Sequence, residues 1–334
     1  MSQNEKAPRL TIQIIAWNTM KFLPGCLENL KKQTFRDFKI LVIDNHSTDQ
    51  VDVFLKEQYP EIYFFRNPDN FGFARAHNQG FALSKSEYIL ILNPDVLLEP
   101  NFLEKIIVEA DKHPLAYAFG GKVLKVQSGD EEIGEVIKTK IIDSTGLVLR
   151  RSHQAADRGE GKEDKGQFDC AEEVFGISGA CTLFRRSLLE EIGFFDEKYF
   201  AYKEDVDLAW RGQLRGYQAW YAPSAIAYHY RQAGKKKRFN QSPLVSFLSY
   251  RNGLFLILQN DFLANILLDF FFIFFDQIFK AFYLLFTKPK VLFKTKISFL
   301  KSFFSLMKAR RKNLKNHKIK VLAFRKRWLK MKKI

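Results

Sequence analysis

Cysteine is scarce in this chain. Only Cys26, Cys170 and Cys181 occur among 334 residues, an odd number without the close pairing of a zinc motif. That excludes a disulfide-stapled scaffold and leaves free thiols suited to a reducing compartment. A secretory signal is also missing. The first nine residues are polar and charged, and the apolar stretch 10–17 is short and interrupted, so export is not expected. No internal repeat with a period of about 20–50 residues is visible. Finally, acidic residues are absent from Lys288 onward, where 18 of the 53 Lys and Arg residues fall. The other 35 nearly balance the 37 acidic residues, so the formal charge of +16 belongs to a basic tail on a near-neutral body. Such a tail seeks an anionic surface.

What the chain does have is a full complement of apolar residues, 46%, and 34 Phe, many of them crowded after Asp261. Its first 125 residues alternate β-rich runs (10–16, 38–43, 62–65, 88–92) with helical patterns (21–33, 48–59, 72–84). This order predicts an α/β fold with a mostly parallel, Rossmann-like sheet covered by helices on both faces. Residues 127–173 read as loops and short strands. Order returns at 174–184, followed by helices at 186–192 and 204–215 and short strands at 218–221 and 226–229.

Ligands bind beyond the carboxyl ends of the strands in such a sheet. The residues just past those ends are Trp17-Asn18, Asp44-Asn45, Asn67 to Asn70 and Asn93-Pro94-Asp95. Asp44 is placed to accept hydrogen bonds from a ribose or nucleobase. Ser47, Thr48 and Asp49 fit either a ligand site or a helix cap. In the run from Asn70 to Gly80, Gly72 allows close backbone approach and Arg75 suits a diphosphate, although packing of a helix start explains them equally well. Asp95 could hold a hard divalent ion; an ordinary strand-ending turn is the alternative. Glu204, Asp205 and Asp207 open a helix, where acids serve either as a base or simply offset the helix dipole. His229, ending a strand, is either packed or a ligand.

The stretch 261–287 is long enough to span a bilayer, but Asp269, Asp276 and Lys280 lie within it. On a helical wheel Asp261, Asn265, Asp269, Asp276, Lys280 and Thr287 form one polar stripe opposite a broad Phe/Leu/Ile face. This predicts a helix lying in the membrane interface, with a core helix of a small subdomain as the alternative. Basic residues interleaved with apolar ones after Lys288 point to anionic lipid rather than nucleic acid.

In order and spacing, these motifs resemble the family 2 glycosyltransferases with the GT-A fold, particularly the rhamnosyltransferase-like branch. Ser178-Gly179-Ala180-Cys181, Arg185-Arg186 and Tyr250-Arg251-Asn252 belong to the same pattern. The resemblance implies an inverting, metal-dependent transferase that moves a sugar from dTDP-rhamnose or a UDP-sugar to a polyprenyl-diphosphate-linked saccharide. A non-catalytic sugar-nucleotide or membrane-binding module on the same scaffold is the second reading. By position, Asp205 would be the base and Glu204 its support. Asn18, Asp44, Asn45, Asn70, Gly72, Arg75, Asn93 and Arg211 would bind donor, and Asp95 and His229 would hold Mg²⁺ or Mn²⁺. Asn93 stands where the family's D-x-D has its first Asp, and His46 where relatives often have Gly. The implied layout is a flexible N-terminus (1–9), a catalytic domain (10–235, donor half to about 125, acceptor half from 126), a connecting helix (236–260) and membrane-binding helices (261–334). The expected location is the cytoplasmic face of a membrane, peripheral or monotopic. The loop 235–238, Lys-Lys-Lys-Arg, reads first as a solvated charge run, with the acceptor's diphosphate as its alternative partner.

Overall fold

Strand β1 (Leu10–Ala16) lies between two parallel neighbours in the sheet, and its alternate residues Leu10, Ile12, Ile14 and Ala16 are completely buried. In a computed structural model describing residues 7–127, 137–230, 241–315 and 317–328, it pairs in parallel with β2 (Phe38–Asp44) and β4 (Tyr88–Leu92). Strand β3 (Tyr63–Arg66) extends the parallel run beyond β2. The sheet continues through β11 (Cys181–Arg185), antiparallel to β4, to β6 (Ala116–Gln127), β12 (Gln218–His229) and β10 (Glu172–Val174). The short β5 (Val96–Leu98) pairs with β12, and β7 (Ile137–Ser144) with β6. A separate hairpin joins β8 (Leu147–Leu149) to β9 (Ala155–Asp157).

Helices cover both faces, as the alternating pattern requires. Helices α1 (Leu23–Lys31), α2 (Val51–Gln58) and α4 (Phe102–Lys112) pack on the face formed by the even-numbered residues of β1. Helices α3 (Gly72–Leu83), α5 (Arg186–Ile192) and α6 (Glu204–Leu214) lie on the other, against Ile91, Ala118 and Phe184. The α/β expectation holds, with two refinements. The stretches read as strands at 218–221 and 226–229 are one strand, β12, whose register shifts between Ala222 and Ile226. Pro223 in that gap has no N–H to give the ladder, so the chain bulges there instead of stopping. The ordered stretch 174–184 divides into the ends of β10 and β11, with Gly176 and Gly179 in the turn between them.

The C-terminal part is helical: α7 (Pro243–Asn260), α8 (Leu263–Leu268), α9 (Phe270–Thr287), α10 (Pro289–Lys315) and α11 (Val321–Trp328). The single helix expected over 261–287 is therefore two, broken at Asp269. Asp269 is fully buried, where its carboxylate bonds to Arg151, His153 and Arg325. Satisfying these partners takes precedence over an unbroken helix. Residues 1–6, the basic loop 235–238 and the tail from 329 lie outside the described residues.

Candidate active site

The strand ends deliver the polar residues to one edge, and a chain of contacts ties them together. At the end of β2, Asp44 is fully buried; its Oδ1 accepts from the Ser47 amide at 2.8 Å. Its Oδ2 has no hydrogen-bond partner, although Arg66 Nε lies 3.4 Å away. An acceptor left open inside the protein is costly unless a ligand completes it. Asn18, after β1, accepts from the Thr48 amide at 2.8 Å, while the Asn18 amide donates to Ser47 Oγ at 3.0 Å. Asp49 accepts from the Met20 amide at 2.7 Å. Ser47, Thr48 and Asp49 thus tie the β1 and β2 loops together and make no side-chain cap on α2. His46 has φ 68°, a left-handed conformation that explains why Gly suits this position, although His can adopt it.

Asn45 is buried. It donates to Asn70 Oδ1 at 3.2 Å and to the Gly72 carbonyl at 3.1 Å, and accepts from Asn67 at 2.9 Å. Asn45 and Asn70 therefore bracket the start of α3. Gly72, with φ 83°, lies so close to Phe200 that a Cβ would stand 2.6 Å from its ring. Its freedom serves contact with Phe200 rather than with a ligand, and the Ala74 amide donates to the Phe200 carbonyl at 3.1 Å. Arg75 is exposed over the Phe71 ring.

Phe200 opens a bent loop. Phe200, Tyr202 and Lys203 all have positive φ, an unfavourable run for side-chain-bearing residues. It persists because Asn252 on α7, fully buried, donates to the carbonyls of Tyr199, Ala201 and Tyr202 at 3.0, 2.9 and 2.7 Å. Arg251 adds bonds to the carbonyls of Lys198 and Tyr199. The bend aims the first turn of α6. There Asp205 Oδ2 accepts from the Gly179 amide at 2.9 Å and Oδ1 from the Val206 amide at 2.7 Å. Burial raises the proton affinity of Asp205, partly offset by those amides and by Lys203. Glu204 is raised more strongly, by burial and then by the charge of Asp205; its Oε2 is unpartnered. Asp207, the third acid, is bound by Gln259, Asn260 and Arg211 at 2.6, 2.7 and 2.8 Å. Arg211 also bonds the carbonyls of Ile192, Gly193 and Phe194. Its donors are consumed inside the fold, which corrects its expected place at the donor.

From Gly179 the chain of contacts leads to the other candidate. The Asn93 amide donates to the Ala180 carbonyl at 2.8 Å, and Asp95 follows two residues later. Asp95 Oδ1 lies 3.4 Å from His229 Nε2, and the Tyr230 amide donates to the Asp95 carbonyl at 3.0 Å. Behind the ring, His229 Nδ1 is 2.8 Å from Asp143 Oδ2. Burial disfavours the charged imidazole, but the bonds to Asp143 and Asp95 outweigh it and lift it to about 9. Among the described residues no three His, Cys, Asp or Glu side chains converge as a ready-made metal cage. A carboxylate facing an imidazole whose far nitrogen is held by a second carboxylate nonetheless fits a divalent ion that takes its other ligands from phosphate and water. Asp143 and Asn252 were not picked out as site residues. The sequence signal at Asp143 is slight, an acid directly after the Ile141-Ile142 pair.

The comparisons with known proteins give the family and the fold. The model of glycosyl transferase family 2 matches residues 11–193. Over 239 residues the chain is 27% identical to the N-acetylglucosaminyl-diphospho-decaprenol L-rhamnosyltransferase of Mycobacterium tuberculosis, covering 66% of this chain and 76% of that one. It is 21% identical over 221 residues to the poly-beta-1,6-N-acetyl-D-glucosamine synthase of Staphylococcus aureus, covering 66% of this chain and about half, 49%, of the synthase. The fold is similar to that of GalNAc-T7 solved with UDP, GalNAc and Mn²⁺ (TM-score 0.59, 14% identity, 76% of this chain and 48% of that one). It is also similar to that of the Pyrobaculum calidifontis mannosyltransferase in complex with GDP-Man and Mn²⁺ (TM-score 0.51, 15% identity, 89% and 75%). With more than half its length under that family model, and with a rhamnosyltransferase among its relatives, the chain belongs to glycosyl transferase family 2, in the rhamnosyltransferase-like branch.

Proposed function

We propose that the chain transfers a sugar, with inversion, from a nucleoside-diphosphate donor to a lipid-linked saccharide at the cytoplasmic face of a membrane. The observation that carries this reading is the Asp205 carboxylate, held by the Gly179 amide one residue from the carbonyl that anchors Asn93, on the same edge as Asp95 and His229. The donor is dTDP-rhamnose, with UDP-hexoses next, by analogy with the rhamnosyltransferase named above.

In the proposed step, Asp205 accepts the proton of the acceptor hydroxyl. The hydroxyl oxygen bonds to the anomeric carbon from the face opposite the diphosphate, whose bond to that carbon breaks with the electrons leaving on the diphosphate. Burial makes Asp205 a stronger base than a solvated carboxylate, and Glu204 stays protonated beside it long enough to spare it a like charge. Asp44 receives a nucleobase N–H on its open Oδ2, and Asn18 and Arg75 flank the nucleotide. Asp95 and His229 would hold Mg²⁺ or Mn²⁺, with Asn93 beside them. Such an ion supplies charge neutralisation of the leaving diphosphate.

The apolar outer face of α9 and the basic tail support residence at an anionic membrane, where a lipid-linked acceptor would present its sugar. Asp205→Asn should cut transfer by about 10²–10⁴-fold while calorimetry finds nucleoside-diphosphate affinity unchanged. A fully active variant would remove Asp205 from the mechanism. Chelation by EDTA should stop transfer and Mn²⁺ should restore it; indifference to the chelator would dismiss the ion.

A further inference from the structure

Beside Lys203, in the bent loop before Asp205, lies a cavity of about 220 Å³ that no step above uses. Its walls come from the tip of the β8–β9 hairpin (Arg150, Gln154), the bent loop (Lys203), α7 (Tyr250) and α9 (Asp276, Lys280). Arg150, Lys203 and Lys280 outnumber the one carboxylate, Asp276, which pairs with Lys280, so the lining keeps a positive excess. Gln154 is buried, and its Oε1 accepts from Lys203 Nζ at 2.7 Å, which turns the amide nitrogen the other way. That Nε2 has no hydrogen-bond partner. A buried amide donor beside cations asks for an anionic oxygen. Gly253 leaves the room for this pair: a Cβ there would stand 3.1 Å from Gln154 Oε1 and 3.3 Å from Lys203 Nζ.

Helix α9 gives the occupant its second property. Asp276, Lys280 and Leu284, spaced four apart, face the cavity, whereas Phe271, Phe275, Phe279, Phe282 and Phe286 project outward from the same helix. One helix is thus both the cavity wall and the apolar surface. At 220 Å³ the cavity is smaller than the roughly 300–1,000 Å³ that encloses a whole small molecule. A headgroup fits within it while an attached hydrocarbon chain lies along the Phe face. Lys203 stands two residues before Asp205, so a sugar linked to that headgroup has a short reach to the base.

We propose that this cavity binds the diphosphate headgroup of a prenyl-type lipid, seating the acceptor of the reaction described above; it rests on that reading for the word acceptor, but not for the binding itself. Arg150, Lys280 and the Gln154 amide donate to the phosphate oxygens, and Lys203 completes the positive rim.

The test measures equilibrium binding in mild detergent by the full chain, with geranylgeranyl diphosphate as probe and geranylgeraniol, inorganic diphosphate and phosphatidylglycerol as comparisons. The wild-type chain should bind the prenyl diphosphate at least about tenfold more tightly than any of the three, since only it offers both the charge and the chain. Arg150→Gln/Lys280→Gln should erase that margin and leave UDP and dTDP affinity unchanged; Arg150→Gln alone, at an exposed position, should lose part of it. A margin that survives the double substitution overturns the proposal, as does equal binding of phosphatidylglycerol or a parallel loss of nucleotide affinity. Prenyl-diphosphate binding without sugar transfer from any nucleotide sugar would instead refute the transferase step and leave the cavity assignment standing.

Discussion

The two ends of this chain bury opposite kinds of residue. Around β1 the interior is aliphatic: Leu10, Ile12 and Ile14 are fully buried, and the charges lie outside or at the strand ends. From Asp261 through α8 and α9 the arrangement is inverted. Asp261, Asn265 and Asp269 are fully buried, whereas Phe271, Phe279 and Phe286 are 70%, 70% and 71% exposed. The hydrophobic effect alone drives the first arrangement in water. The second is stable only where the exposed Phe surface meets something other than water, and the basic residues that follow from Lys288 supply the complementary charge. The polar stripe legible in the sequence therefore faces the protein, and the apolar face is what remains for lipid.

That inversion can be broken from either side. Phe271→Gln/Phe279→Gln/Phe286→Gln removes three side chains that add about 1.5–3 kcal/mol each on burial, so flotation with anionic vesicles should fall by over about three decades. Unchanged flotation would place the membrane contact elsewhere. On the inner side, Asp269 is held by Arg325, Arg151 and His153. Burial pushes its carboxyl up, but those bonds outweigh it and hold it down to about 2. Asp269→Ala leaves Arg151, Arg325 and His153 facing an empty partner, which costs about 3–5 kcal/mol for a buried pair. Limited proteolysis should then cut between α7 and α9 while the sheet stays resistant. Equal resistance in both regions would mean the ionic cluster does not hold the helices down.

The same contrast explains what could be read from the sequence. Short apolar, β-rich runs located β1, β2 and β4, and the polar residues just past them put Asp44, Asn93 and Asp95 at one edge, because a parallel sheet allows little else. The long β12 was read as two pieces because Pro223 interrupts the pattern, and a bulge cannot be told from a stop without its partner strand. Arg211 was misplaced because nothing local distinguishes an arginine that clamps three carbonyls from one awaiting phosphate. Asn252, 47 residues after Asp205 in the numbering, is legible as part of a motif, but its contact with the loop before Asp205 follows only from α7 lying across that loop.

Two smaller effects sharpen the comparison where the regions meet. Asn252→Ala deletes three hydrogen bonds to the strained loop, each contributing about 1 kcal/mol. Asn252 touches no reacting atom, so kcat should fall about tenfold or more with the KM for donor nearly unchanged, and Asn252→Asp should not rescue it, since a carboxylate cannot donate to carbonyls. A donor KM that rises in step with the loss of kcat would show a general loosening of the fold instead.

The smallest effect is thermodynamic. Burial and the neighbouring Asp205 raise the Glu204 carboxyl from its ordinary 4.5 to about 8. Between those values the folded chain holds a proton that the unfolded chain has released, so stability falls as pH rises through the window. Glu204→Gln removes this proton uptake and leaves that of Asp205. From about pH 5 to pH 8.5, the drop in Tm should therefore be several degrees smaller in the variant than in the wild-type chain. Parallel pH curves would mean that Glu204 is ionised at neutral pH, and then two adjacent negative charges, rather than one base and its protonated neighbour, would face the acceptor.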